Sequence, residues 1–193
     1  SWQLADEYFM EWSKKVLTEM KLRVSYGTSG NTPSGTSPYY GTYSSLGSYM
    51  AGSVLAPYSM QLNNLKWELT NEVNIGTDIT MWDGVVAMSF DYYKKHTRDL
   101  LQKKFYIPTT SGYANNYLAY YNEGEIQNRG IEYRIDWQAF KNNDWNLKFN
   151  YNVSRNINEI ISLPSMPEEN FTLKNGNYGT RIVPGVAVGS FFG

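Results

Sequence analysis

The sequence predicts an all-β fold: a partial antiparallel transmembrane β-barrel with long extracellular loops on one end and short periplasmic turns on the other. Three observations carry that prediction. Strands alternate apolar and polar residues well beyond ordinary strand length, connections segregate by length, and tryptophans gather at the short turns. Composition agrees with it. The 193 residues include 17 tyrosines and 6 tryptophans, 16% of the chain is aromatic and only 18% is charged. A net charge of −1 offers no basic excess to neutralise phosphates, so no nucleic-acid partner is expected. The absence of cysteine excludes a disulfide framework and thiolate metal sites. No apolar run reaches the roughly 18 residues of a membrane-spanning helix, a test that leaves an alternating barrel strand untouched.

Taken in order, Ser1-Trp2-Gln3-Leu4-Ala5-Asp6-Glu7 lacks the pattern of a signal peptide. The chain is therefore expected either to stay unexported or to begin within something longer. From Asp6 to Glu19 a short helical or irregular connection is expected, with Asp6 as its cap and Phe9, Met10, Val16 and Leu17 as its apolar side. Leu22, Val24 and Tyr26 alternate with Arg23 and Ser25 until Gly27-Thr28-Ser29-Gly30-Asn31 interrupts them. From Lys66 onward, Trp67, Leu69, Val73, Ile75, Ile79 and Met81 face one way and Lys66, Glu68, Glu72 and Asp78 the other. Asp83-Gly84 then supplies the positive-φ residue of a tight hairpin. Its return strand sets Val86, Met88, Phe90 and Tyr92 against Ala87, Ser89, Asp91 and Tyr93.

A second long hairpin runs through Ile131, Tyr133, Ile135 and Trp137, turns at Lys141-Asn142-Asn143-Asp144, and returns through Trp145, Leu147, Phe149, Tyr151 and Val153. The other connections, roughly residues 28–64, 96–124 and 155–185, are long and rich in Gly, Ser, Asn and Tyr. Trp82, Trp137, Phe140 and Trp145 flank the short turns, where an interfacial girdle belongs. A soluble β-sandwich is the competing architecture. It would show shorter strands and would have to cover so large an apolar face.

Four stretches in order carry a resemblance. They are Met20-Lys21-Leu22-Arg23-Val24-Ser25-Tyr26-Gly27-Thr28-Ser29-Gly30-Asn31; Asn64-Leu65-Lys66-Trp67-Glu68; Asp91-Tyr92-Tyr93-Lys94-Lys95 with Thr97, Asp99, Leu100 and Leu101; and Asn122-Glu123-Gly124-Glu125-Ile126-Gln127-Asn128-Arg129-Gly130-Ile131-Glu132. Each resembles a segment in the barrel of SusC/RagA-type TonB-dependent outer-membrane transporters. Trp2, Glu7 and Phe9 near the start, and Val188-Gly189-Ser190-Phe191-Phe192-Gly193 at the end, are similar to flanking segments of that family.

The resemblance implies a plugged barrel of roughly 22 strands in the outer membrane of a Gram-negative bacterium. Such a barrel imports oligosaccharides or peptides with energy from the TonB complex, under a SusD-like lipoprotein. Residues 1–193 would be a slice of its wall, with plug, TonB box and N-terminal domains outside this chain. Neither an enzyme nor a cofactor is implied.

His96 is the only histidine, which excludes a His-based metal cluster or triad and leaves it as a polar residue near an extracellular strand end. Glu68, Glu72, Asp78, Glu132 and Asp136 recur every second residue, as a hydrated lumen face would. Tyr39, Tyr40, Tyr43, Tyr113, Tyr117, Tyr120 and Tyr121 lie in the long loops, where exposed rings form stacking surfaces for sugars or partner proteins. The alternative is that they pack the loops together. Arg129 is a further candidate contact, its planar donors suited to carboxylate or sugar oxygens, and Arg181 is a weaker one. Glycines of the 122–132 segment are expected at bends or bulges. The competing function is a soluble or surface-attached β-domain that binds glycans through its tyrosine-rich loops; a passive porin shares the barrel.

Overall fold

A computed structural model of the chain describes residues 1–33, 40–50, 52–105, 110, 112–113, 118–163, 172–175, 178–181 and 183–192. Strand β1 (Trp2–Gln3) leads into two 3₁₀ segments, Leu4–Asp6 and Tyr8–Ser13. Then follow β2 (Leu17–Asn31), β3 (Thr42–Tyr49), β4 (Gly52–Ser59), β5 (Glu68–Met81), β6 (Val86–Arg98), β7 (Leu101–Phe105) and β8 (Leu118–Asn122). The series ends with β9 (Glu125–Lys141), β10 (Asn146–Ser162), β11 (Thr172–Asn175), β12 (Tyr178–Arg181) and β13 (Ser190–Phe192). One antiparallel sheet has the order β1-β2-β5-β6-β9-β10, and three smaller sheets pair β3 with β4, β7 with β8, and β11 with β12 and β13.

Alternation decides the long strands, because successive side chains point to opposite faces. The register keeps those faces in phase across the whole sheet. Met20, Ile79, Met88, Ile135 and Tyr151 form one row, and Leu22, Thr77, Phe90, Tyr133 and Val153 the next. On the opposite face Arg23, Gly76, Asp91, Glu132 and Ser154 lie side by side. Nothing within the described residues covers the apolar face. The buried apolar residues among them are Ala5, Ala56 and Ile160, whereas Val24 is 63% exposed and Phe149 52%. A slab of aliphatic and aromatic side chains this wide marks a surface that meets apolar surroundings, a lipid phase or another protein.

On this face the first charged residues beyond the apolar rows are Lys94 on β6, Arg129 on β9 and Arg155 on β10, with Lys94 opposite Arg129 and Arg155 opposite Ile131.

Both short turns form as expected. Trp82 (φ 50°), Asp83 (φ 51°) and Gly84 (φ 90°) are consecutive left-handed residues. Only glycine adopts that conformation without strain. Hydrogen bonds from the Trp82 amide to the Val16 carbonyl (2.9 Å) and from the Asp83 amide to Thr18 Oγ1 (2.9 Å) hold the two others in place. At the second turn the Asn142 amide donates to the Trp145 carbonyl (2.7 Å) and the Asn142 side chain accepts from the Asn143 amide (2.7 Å). Trp82, Trp137, Phe140 and Trp145 all lie exposed at this end, and Trp137 stacks on Phe149 at 5.6 Å.

Three expectations need correction. Gly27 to Asn31 does not interrupt β2, which pairs with β5 through Gly27↔Glu72 to Asn31↔Glu68; backbone pairing there needs no apolar side chain. The long connections are shorter than the sequence implies, since strands extend into them and fold them into hairpins. The segment after Asp6 is helical as expected, in the 3₁₀ form, but its cap position is Glu7 without a side-chain cap hydrogen bond, Val16 lies in the turn before β2 and Leu17 opens β2.

Candidate functional site

Chemistry-bearing residues gather in two places, the polar face of the large sheet and the rim where its strands meet the long connections. On the polar face Arg23 is the centre of a cross-strand network. Its Nε and Nη2 donate to the Asp78 carboxylate at 2.7 and 3.0 Å, and Nη2 also reaches both oxygens of Asp91 at 3.1 Å, one strand farther away. That reach depends on Gly76, which lies between them. A Cβ at Gly76 would stand 2.9 Å from Arg23 Nη2 and closer still to Asp91 Oδ1.

The same device recurs one row on. Tyr93 lies over Gly130, where a Cβ would come within 2.6 Å of its ring, and its hydroxyl donates to Asn156 Oδ1 at 3.3 Å on the strand beyond. Gly130 sits in regular register, opposite both Tyr93 and Asn156. It is a window for a side chain rather than the bulge expected from sequence, and Gly124 (φ 95°) alone of the two makes a bend.

Further pairs link several other polar residues of this face. Lys95 lies 3.3 Å from Glu72, Arg134 donates to Asp136 at 2.7 Å, Asn150 also donates to Asp136, and Asn158 donates to Asn128 at 2.7 Å. An open groove of about 590 Å³ runs over this face, lined by Glu72, Asp91, Tyr93, Lys95, Glu132 and Asn156 among others. Among the described residues no group of three His, Cys, Asp or Glu side chains converges to hold a metal. His96 meets Glu125 at 2.9 Å on the other face of the sheet. Of the carboxylates singled out in the sequence, Glu72 and Asp78 are thus committed to cross-strand ion pairs and Asp136 to Arg134 on its own strand and Asn150 on the next, while Glu132 faces the groove.

At the rim, Asn122 clamps two separate segments. It accepts from the Lys66 amide (2.6 Å) and donates to the Lys66 carbonyl (2.7 Å) and the Asp99 carbonyl (2.9 Å). Glu68 joins the end of β2 to the start of β7, accepting from Asn31 Nδ2 and from the Leu101 amide, each at 2.8 Å. The Glu123 amide donates to the Leu100 carbonyl at 2.9 Å. The sequence motifs around residues 31, 66–68, 99–101 and 122–124 therefore meet at one node. At the other end, Trp2 Nε1 donates to Glu7 at 2.7 Å and the Trp2 ring meets Phe9 edge-on at 6.4 Å, which accounts for that trio.

Beside the rim node lies a cleft of about 910 Å³ between residues 61–66 and Asp99, Tyr120, Tyr121, Asn122 and Glu123. It brings two of the candidate tyrosines together. Tyr40 and Tyr43 are exposed on and beside the separate β3–β4 hairpin, and Tyr113 is half-buried in the excursion between β7 and β8. Tyr39 and Tyr117 lie outside the described residues, as does the Arg181 side chain. Arg129 is on β9, away from these tyrosines, with its guanidinium 4.0 Å from Glu159. Sequence reasoning did not find Arg23, Gly76 and Asn122; a glycine within an alternating polar row was the available signal for Gly76.

The family model described as "TonB dependent receptor-like, beta-barrel" matches residues 1–192. TonB-dependent receptor P3 of Formosa agariphila is 33% identical, over 100% of this chain and 20% of its own length. TonB-dependent receptor SusC of Bacteroides thetaiotaomicron is 28% identical, over 93% of this chain and 18% of its own. The solved structure of the RagAB peptide transporter superposes with a TM-score of 0.79 at 22% identity, covering 96% of this chain and 20% of that one. This chain thus spans about 20% of the length of the curated relatives it matches. With long antiparallel strands that divide an apolar from a charged face, and a family match that runs from end to end, the chain belongs to the TonB-dependent receptor-like β-barrel family.

Proposed function

We propose that residues 1–193 are part of the barrel wall of an outer-membrane importer of oligosaccharides or peptides, in a Gram-negative bacterium. Its apolar face meets lipid, and its polar face meets a plug and the water of the lumen. The plug and the segment that engages the TonB complex belong to the rest of the parent polypeptide, and a SusD-like lipoprotein lies over the rim. The observation that carries this reading is the face division. Five strands in continuous register put the apolar rows on one side and the Arg23–Asp78–Asp91 network on the other, with no second layer among the described residues to cover the apolar side. Transport needs no catalytic group, and the named relatives are receptors. A peptide substrate is supported by the likeness to the RagAB transporter.

Deleting the parent gene in its own organism, and following uptake of labelled oligosaccharides and peptides, tests the reading. Uptake of one class should disappear, and collapsing the proton-motive force in wild-type cells should abolish the same uptake. Unchanged uptake, together with glycan binding by water-soluble protein, would instead support the soluble β-domain.

A further inference from the structure

We infer that the outward face carries a binding site for the phosphate of an anionic membrane lipid, formed by Lys94, Arg129 and Arg155. The inference rests on the membrane reading above. From the apolar band toward the rim, the first charged side chains on this face are these three, on the adjoining strands β6, β9 and β10. Lys94 is directly opposite Arg129, and Arg155 is opposite Ile131, which places it diagonal to Arg129. Side chains so paired start roughly 5–8 Å apart, so all three reach a common anion.

Like charges directly opposite each other on a sheet destabilise it, and the chain itself supplies little compensation. Lys94 and Arg155 are exposed and make no side-chain hydrogen bond or ion pair among the described residues. Arg129 has only the distant Glu159 at 4.0 Å. The other carboxylate of this region, Glu125, is engaged by His96 at 2.9 Å. Arg98, exposed at the end of β6, adds a further positive charge nearby.

The composition of the border selects the ligand. Guanidinium groups favour phosphate through paired N–H donors, and an ammonium group adds a point charge. Tyr92, Ile131 and Val153 stand immediately next to the cations on the same face. The bearer of the phosphate therefore also has an apolar part running down the sheet, as a lipid has and a free phosphate or soluble polyanion has not. The site lies at the end of the band opposite the short turns, so it addresses one leaflet only.

The test uses the full-length receptor that carries this segment, purified in detergent and titrated by native mass spectrometry. The probes are bisphosphoryl lipid A and the same lipid after phosphatase treatment. Combining Lys94→Gln, Arg129→Gln and Arg155→Gln should weaken retention of the phosphorylated lipid on the order of tenfold to a hundredfold. Phosphatase-treated lipid should bind wild-type receptor no better than the phosphorylated lipid binds the variant. The same neutralisation at the short-turn end, with Lys14→Gln, Lys15→Gln and Lys141→Gln, should change nothing. Equal retention by both triple variants and the wild type would overturn the site, provided that each variant unfolds cooperatively in detergent. Quenching by brominated lipid of a fluorophore at position 135 reports separately whether this face meets lipid at all, so a failed site and a failed membrane reading give different results.

Discussion

Replacing Gly76 with alanine places one methyl group where Arg23 crosses β5. The new Cβ would lie 2.9 Å from Arg23 Nη2, inside contact distance, so the guanidinium has to lift away from Asp91. The Nε bond to Asp78, at 2.7 Å, does not involve Nη2 and persists. What is lost is the contact to Asp91 at 3.1 Å, between side chains 38% and 21% exposed. A charge-assisted hydrogen bond contributes about 1.5–3 kcal/mol, and partial exposure reduces this toward about 1–2 kcal/mol. Relief of the glycine penalty in a strand returns roughly 0.5 kcal/mol, which leaves Gly76→Ala destabilising by about 0.5–1.5 kcal/mol. Urea unfolding of the full-length receptor refolded into vesicles measures it. The decisive comparison is the double-mutant cycle with Asp91→Asn, where the alanine should become neutral or favourable, with a coupling energy of about 1 kcal/mol. If Gly76→Ala has the same effect whether residue 91 is charged or neutral, the window argument is wrong.

Depth along the outward face should set the effect of a charge. Ile135→Arg, in the middle of the band, should impair vesicle insertion by about 2–4 kcal/mol, and Tyr92→Arg, beside Lys94, by no more than about 1 kcal/mol; equal values would contradict the placement of Lys94 at the edge of the apolar band. Asn122→Ala removes three hydrogen bonds at the rim node. Hydrogen exchange at the Lys66 amide should accelerate by at least about tenfold, while amides of β9 keep their protection. Expressed alone, the 193 residues should aggregate in water, because among the described residues β10 presents a long, largely unpaired edge beside an uncovered apolar face. A monodisperse, cooperatively unfolding species without detergent would contradict this in a sedimentation run.

Legibility in the sequence followed the physics of each element. Strands β5, β6, β9 and β10 declare themselves because residues of the apolar and the polar face alternate, and Asp83-Gly84 marks its turn through local backbone preference. The end of β2 was hidden, since Gly27 to Asn31 are held by a partner strand some forty residues away in sequence and not by their own side chains. Hairpins β3–β4 and β7–β8 were hidden for a related reason, lacking the one-sided apolar pattern that betrays a strand. The Arg23 network joins residues 55 and 68 positions apart, which periodicity cannot reveal. Asn122 and Glu68 were visible as parts of motifs, yet their work as clamps appears only once β2, β7 and the 61–66 segment meet. The loop tyrosines were legible as a group, and of those the structure describes, Tyr40 and Tyr43 go with a hairpin, Tyr120 and Tyr121 line a cleft, and Tyr113 belongs to neither.

The most direct test of the two-faced wall is site-directed spin labelling along one strand. Because these 193 residues contain no cysteine, single cysteines at Ile131, Glu132, Tyr133, Arg134 and Ile135 are the only labelling sites within this segment. In the full-length receptor in lipid vesicles, collisions with oxygen should swing with a period of two residues. Positions 131, 133 and 135 should be high, and positions 132 and 134 low with greater access to a water-soluble nickel chelate. A flat profile, or one of opposite phase, would contradict the assignment of the apolar face to lipid.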